Sequence, residues 1–164
     1  MRRWIAIAIL VGAVGACGPL CGNGKLNLSN AQVGPSSFNC PVNATDYAYS
    51  LKGSVDADNQ TSQNITIKSM TTTATVTKLN GPKWEISVGQ KSGDDQVTFS
   101  PKSVSSGSKS TIKFTTGWKC TNPGTAPANT YADFSLVLSL VTSAGTYTIK
   151  LPGWHRMTDG LTAI

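Results

Sequence analysis

The sequence predicts an all-β protein, an antiparallel sandwich of seven to eight strands behind an N-terminal export signal. Three observations carry this. From about Tyr47 to Leu151, apolar side chains recur at every second position, the period of a strand with one face buried. Clusters of Gly, Pro, Asn and Asp punctuate those runs at short intervals. After residue 17 no stretch carries the spacing of an amphipathic helix. One sheet alone would leave its apolar face wet, so a second sheet is the expected cover.

The export signal comes first. Arg2 and Arg3 precede WIAIAILVGAVGA, residues 4–16, which is apolar or small and uncharged. As a helix this run of 13 residues spans roughly 20 Å, short of the roughly 30 Å, or about 20 residues, of a bilayer crossing. A basic start, a short apolar run and small residues at its end describe a secretory signal peptide over 1–16. Val14-Gly15-Ala16-Cys17 then resembles the lipobox of bacterial lipoproteins, with Val14 where that family usually carries leucine. The resemblance implies that Cys17 is acylated, becomes the mature N-terminus and anchors the chain to a membrane, the outer one where there are two. A thiolate is the nucleophile such acylation needs. Val14 and Ala16 equally suit the ordinary signal peptidase, which would leave the protein secreted. Residues 17–24, rich in glycine and proline, read as a tether, and 25–164 as the sandwich domain.

Taking the first 16 residues from 164 leaves 148, one domain with enough chain to bury a core. Of 14 basic residues, 12 remain beyond Arg2 and Arg3, against 8 acidic ones, a net of about +4. The lysines are scattered, and Arg156 is the one arginine after the signal. A nucleic-acid reader concentrates its charge, so no nucleic-acid partner is expected; lysines on solvated strand faces also discourage edge-to-edge pairing of sheets.

Four cysteines need partners or roles. With Cys17 assigned to lipid, Cys40 and Cys120 each flank an expected strand and are the natural pair in an oxidising compartment. Cys21 is then a free thiol in the tether, or the partner of an unacylated Cys17; four cysteines allow three pairings. The C-x3-C spacing lacks a zinc rhythm and the chain has one histidine, so no metal is expected.

The strands follow in order. YAYSLKGSV puts Tyr47, Tyr49, Leu51 and Val55 on one face, and DADNQ at 56–60 reads as a turn. NITIK groups Ile65 with Ile67, and TATVTKL continues with Ala74 and Val76. After the turn at Asn80-Gly81-Pro82, KWEISVG alternates with Trp84, Ile86 and Val88 inward. Gly93-Asp94-Asp95 reads as another turn. QVTFSP offers Val97 and Phe99, STIKFTTGW offers Ile112, Phe114 and Trp118, and TYADFSLVLSLV suits a central strand covered on both faces. TSAG at 142–145 makes a hairpin turn before TYTIKL, with Tyr147, Ile149 and Leu151 inward.

VTFSPKSVSSGSKSTIKF, residues 97–114, resembles the strand-turn-strand of bacterial immunoglobulin-like and fibronectin type III-like modules. Val97, Phe99, Pro101, Val104, Gly107, Ile112 and Phe114 occupy the recurring places. The resemblance implies an immunoglobulin-like sandwich over roughly 47–152. Pro101 stops ladder pairing where the chain changes sheet, and Gly107 relieves the turn.

Little in the chain points to catalysis. His155 sits in GWHRMTDG beyond the last expected strand and reads as an exposed tail residue. Asp56-x-Asp58-Asn59 begins like a calcium loop, but Thr61 and Ile67 stand where glycine and glutamate belong. Trp84 and Trp118 have core parity, whereas Trp154, beside Pro152 and Gly153, is the candidate for an exposed ligand contact. NLS, NAT, NQT and NIT are glycan acceptor sequons that matter only in a eukaryotic source. The expectation is a non-catalytic surface module for adhesion, scaffolding or binding of a protein or glycan, without a cofactor. A carbohydrate-binding module and a secreted hydrolase with an unrecognised site are the alternatives.

Overall fold

A computed structural model describes residues 24–81, 84–94, 96–125, 127, 129–160 and 162–163. The expected signal segment, Cys17 and Cys21 lie outside the described residues. The described strands are β1 (Leu26–Gly34), β2 (Ser37–Asn39), β3 (Ala44–Asn59), β4 (Ile65–Asn80), β5 (Lys91–Asp94), β6 (Thr98–Ser100), β7 (Ser103–Val104), β8 (Lys109–Asn122), β9 (Tyr131–Thr142), β10 (Gly145–Lys150), β11 (His155–Thr158) and β12 (Thr162–Ala163).

They form two sheets. The first runs β1-β3-β8, with β6 and β12 sharing the far edge of β8. The second runs β2-β11-β9-β4-β5, with β10 beside β9 and the short β7 on β4. Among the described residues the pairings are antiparallel except β2 with β11. Leu51, Val55, Ile112, Phe114 and Trp118 of the first sheet face Met70, Phe134, Leu136, Leu138 and Leu140 of the second, all buried. Each such side chain contributes roughly 1.5–3 kcal/mol by leaving water. Thr72 and Thr116 meet inside this core, hydroxyl to hydroxyl at 2.6 Å. This is the two-sheet, all-β sandwich the sequence predicts, in more pieces than seven or eight.

The chain changes sheet early, with β1 on an edge of the first and β2 on an edge of the second. Right after β2, Cys40 bonds Cys120 of β8, across 80 positions. The disulfide therefore ties the two sheets together.

Several local expectations need correction. Residues 83–89 alternate, yet no strand forms at 84–90. β5 already occupies the edge of β4 at Thr72–Thr75, so the intervening chain must turn back. Gly89 takes φ 89°, its N–H donates to Val76 O at 2.8 Å, and Gln90 N–H donates to Ser87 O at 3.0 Å. Ile86 is buried and Trp84 half-buried, but Val88 is 63% exposed. Asp56–Asn59 is not a turn but the end of β3, paired on both sides. Gly93 and Asp94 belong to β5, with Asp95 outside the described residues. β9 is central, but only one of its faces meets the other sheet; Val141 on the outer face is 39% exposed. In β4, Ile65 and Ile67 give way to Met70, Ala74 and Val76 because a bulge between Ile67 and Ser69 shifts the parity.

Candidate ligand-binding surface

One edge of β9 is served by β10 and then by β11, a single strand direction interrupted at residues 151–154. Leu151 is buried and donates its N–H to Leu136 O at 2.9 Å. Pro152 has no N–H to continue the ladder, and Gly153 takes φ 73°, which an L side chain rarely adopts. The chain therefore loops outward and lifts Trp154 to 59% exposure. His155 rejoins the ladder opposite Phe134.

The β1–β2 crossing passes beside this bulge, where Ser36 O accepts the Arg156 N–H at 2.8 Å. Ser36, Ser37, Gly153, Trp154 and Arg156 line a shallow concavity of about 440 Å³. Arg156 is held in place: Nε and Nη2 donate to the Asp133 carboxylate at 2.7 and 2.8 Å. Its guanidinium also lies 3.9 Å from the Tyr131 ring centroid. The bonds to Asp133 raise the arginine pKa further above its ordinary value. The surface thus offers an indole face beside a fixed cation. Among the described residues, no ring contact joins Trp154 to another aromatic.

His155 is not an exposed tail residue. It is 1% exposed, at the first position of β11. Its Nδ1–H donates to Pro35 O at 2.9 Å, which leaves Nε2 to accept the Tyr49 hydroxyl at 2.9 Å. The Trp118 ring packs against it with centroids 5.0 Å apart. Burial holds the imidazole pKa below its ordinary value, the bond to Pro35 opposing this in part. Burial also pushes the Tyr49 phenol up. The alternation of His155 and Met157 against Arg156 and Thr158 was the available signal for β11.

The remaining sequence-level candidates scatter. Trp118 is core, as its parity predicts. Asp56 accepts hydrogen bonds from Thr111, Asn30 and Lys109, which hold its carboxyl down at about 2; it serves the β1-β3-β8 seam. Asn59 is buried, donating to Gln63 O and Val104 O and accepting from Thr61. The partial calcium loop is thus built into strand pairing and a turn. Cys40 and Cys120 are bonded to each other.

No protein-family model and no curated protein matches this sequence. Among solved structures the chain is similar to the ASH / PapD-like domain of human CEP192 (PapD-like domain 7). The two share 10% identity over 94% of each chain, with a TM-score of 0.27. A likeness at that level assigns neither a family nor a role to this chain.

Proposed function

We propose that this protein is a non-catalytic binding module displayed on the outer side of a bacterial membrane, tethered through lipidated Cys17, with Trp154 as a principal contact. The observation that carries the proposal is Trp154 itself: a large apolar ring lifted into water on a Pro-Gly bulge beside a fixed guanidinium. Exposed aromatics of this kind anchor ligands. Against a hydrolase stands His155, the one histidine of the chain, with both ring nitrogens engaged inside the core. The inter-sheet disulfide suits an oxidising compartment. Gly24 packs beside the backbone of Gln60, so the tether meets the sandwich at the end carrying the β3–β4 turn. The Trp154 bulge lies partway along the side wall, clear of that end. An indole beside a cation and two serines also favours a glycan ligand as the second, narrower form of this proposal.

A glycan array probed with the full chain in nonionic detergent, together with photo-crosslinking on intact cells from position 37, which lines the same concavity, tests this. The expected result is a glycan signal or a defined cross-link that Trp154→Ala removes while the thermal midpoint stays unchanged. Equal signals from wild type and Trp154→Ala would overturn the assignment of the contact. A silent array with no cross-link would overturn the binding function.

A further inference from the structure

The outer face of the first sheet carries a trough of about 840 Å³ that no residue of the second sheet lines. Three successive cross-strand rows build it. One wall is the row Gly34, Lys52, Thr115, Thr98, and the other is the row Gln32, Ser54, Lys113, Ser100. Between them Val33, Gly53, Phe114 and Phe99 turn toward the core, so that their backbone forms the floor. Gly53 is required there: a Cβ would collide with the Phe114 ring on the core side.

Lys52 pairs with Thr115, and Lys113 with Ser54, so the two lysines are diagonal neighbours on one face. Such positions lie roughly 7–8 Å apart, close enough for both ammonium groups to reach one anion. Among the described residues no carboxylate lines the trough. The nearest acid along β3 on this face, Asp56, is already engaged by Thr111, Asn30 and Lys109. Hydroxyls from both walls supply the remaining polar contacts. Among the described residues lining the trough, the two rings, Phe99 and Phe114, turn toward the core and offer no outward face on which a nucleobase could stack. The trough has no exposed apolar anchor or arginine of the kind that dominates protein interfaces.

We propose that this trough binds a linear acidic polysaccharide, one carboxylate or sulfate seated between Lys52 and Lys113 and the sugar hydroxyls meeting the serines and threonines of the walls. The site is separate from Trp154 and stands whether or not the Trp154 contact does.

The test is titration of the full chain in nonionic detergent with oligogalacturonate, sulfated dextran, neutral dextran and polyglutamate, at low and physiological salt. The expected result is binding of at least one acidic saccharide, weakened by salt, with neutral dextran and polyglutamate at least tenfold weaker. Lys52→Gln/Lys113→Gln should lose at least tenfold, and Trp154→Ala should lose nothing. Backbone amide shifts in the wild-type protein should map to Gln32, Gly53, Thr98 and Thr115, which keeps the test independent of any variant's folding. Absence of binding to both acidic saccharides, equal binding of neutral dextran or polyglutamate, or undiminished binding by the double variant would overturn the proposal.

Discussion

His155 shows how one residue links the fold to solution conditions. Its ring joins β11 to Tyr49 of β3 and to the β1–β2 crossing at Pro35. The tautomer is fixed because Pro35 O can only accept, so a second proton on Nε2 reverses the Tyr49 bond, takes from the phenol proton its acceptor and leaves a buried charge. With the folded pKa below the ordinary 6.5 or so, stability is complete above that value. As pH falls below it, the unfolded chain takes up a proton that the folded chain refuses. Stability then drops by at most about 1.4 kcal/mol per pH unit until the folded pKa is reached. Asp56 acts in a lower window, between its ordinary value of 3.8 and about 2, where stability is lost as the carboxylate protonates. Urea unfolding measured between about pH 5 and 7 isolates the histidine. The expected outcome is a slope that vanishes in His155→Phe; an unchanged slope would show that the ring titrates freely. Burial of this lone histidine depends on a strand that begins at the histidine itself, so the four-residue alternation of β11 is the one local trace of the role.

At the scale of elements, period-two alternation located the long strands and failed where local geometry changes parity or where an edge is already taken. β1 went unread because Asn30, at φ 50°, and the bulge between Ser29 and Gln32 split Leu26 and Leu28 from Ala31 and Val33. Residues 83–89 show the converse: the alternation is sound, yet β5 holds the edge a strand would need. Val88→Ser separates the two pictures. A loop valine, 63% exposed, is expected to change unfolding free energy by less than about 0.5 kcal/mol, whereas a core strand valine would cost roughly 2 kcal/mol or more. The Pro-Gly bulge was legible as an interruption, and Trp154 with it. A Cβ added at Gly153 would meet open space, so Gly153→Ala adds no clash and tests backbone strain alone. A loss of about 1–2 kcal/mol is expected, read as a lower urea midpoint; a neutral result would mean the bulge does not need its positive φ.

For the whole molecule, what was legible is what alternation and composition encode: two sheets and a disulfide between Cys40 and Cys120. The Trp154 surface was half legible, since exposure of the indole followed from Pro152 and Gly153. Its setting, with Arg156 clamped by Asp133 over Tyr131, depends on cross-strand register that no local pattern reveals. The same holds for the lysine trough, whose walls come from four strands distant in sequence. The disulfide joins the sheets near one end, so Cys40→Ala/Cys120→Ala is expected to keep the fold while losing about 2–5 kcal/mol, measured by urea unfolding. No loss at all would mean that packing alone sets the relation of the sheets.

Display on a membrane is the claim on which the biology of this chain turns, and mass spectrometry of the mature N-terminal peptide from purified membranes tests it most directly. The expected result is a chain beginning at Cys17 with a thioether-linked diacylglyceryl group. A membrane-free chain with an unmodified Cys17, or one still carrying residues 1–16, would contradict it.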